Sequence, residues 1–134
     1  MSSTRQMVEA YPGDPFAPVD ELVACIEACL ACAQACTACA DACLGEEHVA
    51  DLRACIRSDA DCADVCTATA AVLSRQTEPD LRVVAALLEA CAVACGQCAA
   101  ECEQHVGMHE HCRVCAEACR RCEAACRALL ASMA

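Results

Sequence analysis

Bulky aromatic material is nearly absent. The 134 residues include one Phe, one Tyr and no Trp, so the rings that usually dominate buried area cannot build this core. A long uncharged run is also missing: the longest, Ala28 to Ala40, is too short to span a bilayer, and the first twenty residues hold no apolar segment suited to a signal peptide. Positive charge is scarce. Nine Lys/Arg against twenty Asp/Glu leave a formal net charge of -11, which argues against nucleic acid or an anionic membrane as partner. No Gly-rich phosphate loop, nucleophile elbow or isolated Cys-His pair is present, so no enzymatic activity is expected. A cytoplasmic address is the default, and there thiols stay reduced.

What the chain has instead is sulfur and small side chains. Hydrophobic residues make up 58% and eighteen residues are Cys; much of the remainder is Ala, the best helix former, whose small size lets helices approach closely. Cys25, Cys29, Cys32, Cys36, Cys39 and Cys43 are separated by steps of 4, 3, 4, 3 and 4, which keeps every thiol on one stripe of an α-helix. Cys91, Cys95, Cys98 and Cys102 repeat that rhythm, as do Cys112, Cys115, Cys119, Cys122 and Cys126, while Cys55, Cys62 and Cys66 form a thinner row. Leu and Ile normally fill such a stripe, so this core is built for metal as much as for packing.

Other readings of many cysteines fit less well. Disulfide scaffolds are secreted and loop-rich, and thiols sharing a helical stripe point the same way, which makes bridges within a helix awkward although bridges between helices stay geometrically open. Zinc prefers four ligands in a tetrahedral cage, and a continuous ladder offers no isolated one. The C-x₂-C-x₂-C-x₃-C-P spacing of bacterial iron-sulfur sites does not occur. Inert buried thiols account for one or two cysteines in a domain, not for eighteen in register.

Residues 1–19 read as an N-terminal arm rich in Pro, with room for one short helix from Thr4 to Ala10. Residues 20–132 read as one domain of four helices: Val19 to Leu44, ending at Gly45; Glu46 to Arg75; a third entered through the capping-box-like Thr77-Glu78-Pro79-Asp80 and reaching Val106; and His109 to Ser132 after Gly107. Short connections make neighbours antiparallel, so the expected fold is all-α, an up-down-up-down four-helix bundle.

This topology gathers Cys43, His48, Cys102, His105, Met108, His109, His111 and Cys112 at one end. Leu22, Val23, Val72, Leu73, Leu81, Val84, Leu88, Leu129 and Leu130 gather at the other. Ligands line one mouth and aliphatics plug the opposite one. His105 continues the Cys98, Cys102 row by three residues and His109 follows Cys102 by seven, so both are expected to ligate. His111 precedes Cys112 and faces either way. His48 lies seven residues before Cys55, which favours the inside but equally suits a solvated first turn; Met108 lies four before Cys112 and offers a thioether or a gap-filler. Asp59 falls between Cys55 and Cys62 on the inner stripe, where a carboxyl could bond thiols or touch metal, or sit at the stripe's edge.

The CxxxCxxCxxxCxxCxxxC run of the first helix, the CxxxCxxCxxxC run of the third, the CxxCxxxCxxCxxxC run of the fourth and the His cluster resemble the cytosolic copper storage proteins. The likeness covers roughly residues 20–130; the second helix departs from a full ladder at Leu52, Asp59 and Thr69. The resemblance implies a Cys-filled bundle, cytosolic Cu(I) storage and a homotetramer. Independently of the family, outward apolar positions such as Val83, Leu87 and Val93 suggest that the third helix is covered by a partner.

Thiolates are soft ligands suited to Cu(I). Eighteen bare thiolates could not be buried together, so each metal must displace a proton, and exchanging Cu⁺ for H⁺ leaves the charge unchanged. Bridging sulfurs allow roughly one Cu(I) per Cys, about eighteen, with a few more at the mouth. Uptake would run through the mouth, and release would go to a copper chaperone or small thiol. The alternative is a zinc or cadmium thiolate buffer of metallothionein type holding about four to nine ions. Ala-rich helices should form without metal, giving a preformed bundle.

Overall fold

The computed structural model describes residues 2–133. Five α-helices follow the apolar periodicity: α1 (Thr4–Glu9), α2 (Val19–Leu44), α3 (Arg53–Leu73), α4 (Leu81–Glu103) and α5 (Glu110–Met133), with a 3-10 turn, Val49–Leu52, leading into α3. The last four form the up-down-up-down bundle. Both α2 and α4 pack against α3 and α5, so α2 faces α4, and α3 faces α5, across the diagonals of a square. Ala63, Ala70, Ala92, Ala99 and Ala116 are buried. Their single methyl groups set the helices close enough for short Cys side chains to meet in the middle.

Helix ends depart from the sequence expectation for local steric reasons. The second bundle helix does not run unbroken from Glu46: residues 45–48 form turns and the 3-10 segment precedes Arg53. The capping box at Thr77 does not form either. Pro79 disfavours helical geometry in the residue before it, and Glu78 sits at φ 50, so α4 starts three residues later than the box would place it. Asp80 is its cap, accepting from the Arg82 amide at 3.0 Å. Helix α4 ends at Glu103 rather than Val106, and residues 104–108 turn towards α5.

The freed Thr77 hydroxyl instead lies 3.0 Å from the Tyr11 hydroxyl. Nearby, the Phe16 amide donates to Gln76 Oε1 at 3.3 Å, while Gln76 Nε2 donates to the Leu73 carbonyl at 2.7 Å. These bonds fasten the arm over the turn between α3 and α4. Beneath it Leu22, Val23, Leu73, Val84, Leu88 and Leu129 are buried, which closes that end of the bundle with aliphatic packing. Leu81 was expected in this plug but is 47% exposed, because it occupies the first position of α4. Leu87, expected on the outer face, is half-buried.

Both α2 and α4 are long and apolar enough to cross a membrane, each with mean hydropathy 1.8, which the shorter uncharged run did not reveal. In the fold their thiol-bearing faces are turned into the bundle.

Candidate metal centre

All eighteen cysteines are free thiols and all are buried. The 3.5-residue repeat explains why: a stripe at that spacing stays on the seam of a left-handed bundle along its whole length. Cys55 and Cys126, the outermost of their rows, are as deeply buried as the rest.

From the plugged end, Cys25 Sγ lies 3.8 Å from Cys126, Cys29 lies 3.6 Å from Cys122 and 4.0 Å from Cys91, and Cys66 lies 3.6 Å from Cys95. Further along, Cys32 is 3.7 Å from Cys119 and 3.8 Å from Cys62, and Cys36 is 3.6 Å from Cys119, 3.7 Å from Cys115 and 3.9 Å from Cys98. Towards the mouth, Cys55 is 3.6 Å from Cys102 and Cys39 is 4.0 Å from Cys112. Cys29–Cys91 and Cys36–Cys98 cross the α2–α4 diagonal, and Cys66 lies 3.9 Å from Cys122 across the α3–α5 diagonal, so sulfur fills the axis. A disulfide would bring sulfurs to about 2.05 Å. An ion held about 2.3 Å from each of two thiolates spans up to about 4.6 Å, so the observed separations admit bridging ions after small adjustments.

Groups of four donors converge at Cys29, Cys91, Cys122, Cys126; at Cys32, Cys66, Cys95, Cys122; at Cys32, Cys36, Cys62, Cys119; and at Cys36, Cys98, Cys115, Cys119. They share members. A tetrahedral ion in one group deprives its neighbour of a ligand, whereas ions of two or three ligands can share each sulfur.

Of the three gaps in the thinner row, Leu52 at the end of the 3-10 turn and Thr69 in α3 differ in kind from Asp59. Leu52 and Thr69 are buried without facing a donor role, Thr69 returning its hydroxyl to the Val65 carbonyl at 2.7 Å. Asp59 is fully buried among thiols. Cys98 and Cys115 donate to its Oδ1 at 3.1 and 3.2 Å, with Cys102 at 3.6 Å, and Cys55 approaches Oδ2 at 3.8 Å. Burial, and then the Cys115 and Cys98 sulfurs, push its carboxyl up to about 12. It therefore carries a proton at neutral pH.

At the mouth the five sequence candidates separate. His111 points inward: Nδ1 lies 3.4 Å from Cys39 Sγ and 3.6 Å from Cys112 Sγ, and it joins Cys39, Cys43 and Cys112 in a further four-donor group. Burial lowers the His111 imidazole, but hydrogen bonds to Cys39 and Glu46 outweigh it and the net direction is up. Burial raises the Cys43 and Cys112 thiols, with neighbouring sulfurs adding to it. His105 Nε2 pairs with Glu101 Oε2 at 3.0 Å, and His109 Nδ1 with Glu46 Oε2 at 2.8 Å. Neither touches sulfur through those atoms. His48 is exposed and Met108 is 78% exposed. Both line, with Glu46, Glu47, Asp51, Leu52, His105 and His109, an open vestibule of about 230 Å³ outside the thiols.

Sequence reasoning passed over Glu46 and Glu101. The second was readable, since Glu101 stands one helical turn before His105. The first was not, because Glu46 and the imidazoles it meets belong to different turns.

Three comparisons bear on this centre. The profile of a family described as copper storage protein matches residues 19–131. A copper storage protein from Streptomyces lividans, solved with 10 copper equivalents, superposes with TM-score 0.94 at 60% identity, covering 96% of this chain and 98% of its own. A cytosolic copper storage protein from the same organism carrying five coppers has TM-score 0.85 at 66% identity over 86% of this chain and 96% of its own. The Cu(I)-bound copper storage protein BsCsp3 has TM-score 0.71 at 38% identity over 80% of this chain and 95% of its own. Among curated proteins none matches.

Proposed function

The chain belongs to the copper storage protein family, and from that premise we propose that it holds many Cu(I) ions on the thiolates of its own core. The observation that carries this reading is the burial of all eighteen thiols on one shared axis, with neighbouring sulfurs 3.6 to 4.0 Å apart. The ligand set comprises Cys25, Cys29, Cys32, Cys36, Cys39, Cys43, Cys55, Cys62, Cys66, Cys91, Cys95, Cys98, Cys102, Cys112, Cys115, Cys119, Cys122 and Cys126. His111 adds a nitrogen at the mouth, and Asp59 adds an oxygen after losing its proton. His105, His109, His48 and Met108 serve the vestibule, where copper arrives and leaves.

The cytosolic Streptomyces relative supports a cytoplasmic address, which also keeps the thiols reduced. Storage calls for no chemistry beyond ligand exchange, so we assign no catalytic step. Copper passes to and from a chaperone or small thiol by exchange among soft ligands, each ion displacing a thiol proton. We assign a homotetramer as the working assembly; Val83 and Val93, each 57% exposed on α4, are apolar surface that a neighbouring copy would cover.

Anaerobic titration of the reduced protein with Cu(I) against a strong chelator tests the reading. The expected end point is roughly one ion per Cys. Saturation by Zn²⁺ at about four to nine ions, with no preference for Cu(I), would transfer the protein to the zinc buffer class.

A further inference from the structure

Equivalent positions of the bundle recur every seven residues, so the sulfur core can be followed layer by layer from the mouth to the plug. Cys39, Cys55, Cys102 and Cys112 make one layer, with Cys55 3.6 Å from Cys102 and Cys39 4.0 Å from Cys112. Seven residues nearer the plug on each helix stand Cys32, Cys62, Cys95 and Cys119. There Cys32 is 3.8 Å from Cys62, 4.0 Å from Cys95 and 3.7 Å from Cys119, and Cys62 is 3.7 Å from Cys95. Both layers are sulfur throughout.

One more step of seven residues on each helix arrives at Cys25, Thr69, Leu88 and Cys126. All four side chains are fully buried, and Cys25 lies 3.8 Å from Cys126, so the register persists to this level. Two of the four offer copper nothing. Leu88 has no donor atom, and the Thr69 hydroxyl donates to the Val65 carbonyl at 2.7 Å, one turn back on its own helix. A neutral hydroxyl is also a hard ligand, poorly matched to Cu(I). The layer holds half the sulfur of the two above it, although its burial is the same.

We propose that Thr69 is a capacity-determining residue at the closed end: it occupies the position that Cys55 and Cys62 hold in the two upper layers and, with Leu88 in the same layer, leaves Cys25 and Cys126 as a two-sulfur floor to the store. Copper at this level draws on those two thiolates and, for Cys126, on the neighbouring group with Cys29, Cys91 and Cys122. The count at this end is limited by missing donors and not by missing room. Thr and Cys are close in size, so a thiol at position 69 fits without repacking the helices. This inference rests on the copper-storage reading and specifies where that store ends.

The test uses the full chain, reduced and anaerobic, saturated with Cu(I), freed of excess by a chelator and weighed by native mass spectrometry. Thr69→Cys should hold about one ion more than the unaltered protein. Thr69→Val, which keeps the shape without the hydroxyl, and Thr69→Ala, which adds room without a donor, should both leave the count unchanged. Combining Thr69→Cys with Cys25→Ala returns the layer to two sulfurs and should return the count to about that of the unaltered chain. No gain in a folded Thr69→Cys overturns the proposal. A loss in Thr69→Val would make the hydroxyl itself a ligand, and a gain in Thr69→Ala would make room the limit; either overturns it too. Should Thr69→Cys fail to fold, Leu88→Cys adds the third sulfur from α4, and the same gain is required of it. Failure of the unaltered chain to take up Cu(I) would remove the storage reading and this inference with it, whereas a loaded unaltered chain with no gain in the variant removes this inference alone.

Discussion

Cys98 donates its thiol proton to Asp59 Oδ1 across 3.1 Å, and Cys115 reaches the same oxygen at 3.2 Å. A carboxyl fully buried on a sulfur axis cannot hold charge there without a counter-ion, so the metal-free protein stores a proton at this site.

Asp59 should therefore make the apo-protein lose stability as pH rises. Its folded value, pushed up to about 12, exceeds the unfolded carboxyl value of about 3.9. The contribution is full below that unfolded value and declines through neutrality, by up to about 1.4 kcal/mol per pH unit. Asp59→Asn has no such proton to lose. Urea unfolding of the reduced apo-proteins between about pH 5 and pH 7.5, where free thiols bind their protons, should give a steeper decline for the unaltered chain. Parallel profiles would mean that Asp59 ionises normally.

Copper loading should acidify the solution. With thiols neutral before binding and thiolate afterwards, about one proton leaves per Cu(I). Following a weak buffer indicator during anaerobic titration measures the ratio. A ratio near zero would show that the core is ionised before metal arrives.

Position along the axis should decide what each thiol contributes to capacity. Cys36 lies within 3.6 to 3.9 Å of Cys32, Cys98, Cys115 and Cys119, whereas the short sulfur contact of Cys25 is to Cys126 at 3.8 Å. Cys36→Ala is expected to lower saturation by about one to two ions and Cys25→Ala by about one at most. Native mass spectrometry of loaded samples would read both, and equal losses would argue against sharing of the Cys36 sulfur.

The aliphatic plug should matter to folding and not to metal. Leu88→Ala or Leu129→Ala, at buried positions beyond the last thiols, should cost about 2 to 5 kcal/mol with copper stoichiometry unchanged. Denaturant unfolding and Cu(I) titration of the same sample separate the two. A drop in capacity at full foldedness would place these side chains in the storage compartment.

Helix content, the inward direction of every thiol row and the aliphatic character of one end were legible in the chain because each depends on spacing along a single helix. A 3.5-residue repeat places residues on one seam whatever surrounds it. The wrong helix start at Thr77 shows the limit of local patterns: the capping motif was present, but Pro79 and the pairing of Thr77 with Tyr11 prevailed.

The mouth was decided by tertiary structure. From sequence, His105 and His109 extend the Cys102 row and His111 stands beside Cys112 facing either way, yet His111 is the imidazole against sulfur while the other two turn to carboxylates. That outcome depends on residues 45–48 bringing Glu46 across to α5, a meeting of separate turns that no periodicity encodes. Composition and spacing thus determined that soft ligands fill a helical bundle. Only the packing of its loops settled which nitrogen looks inward, because a lone pair is aimed by its hydrogen-bonded neighbour in space and not by its neighbour in the chain.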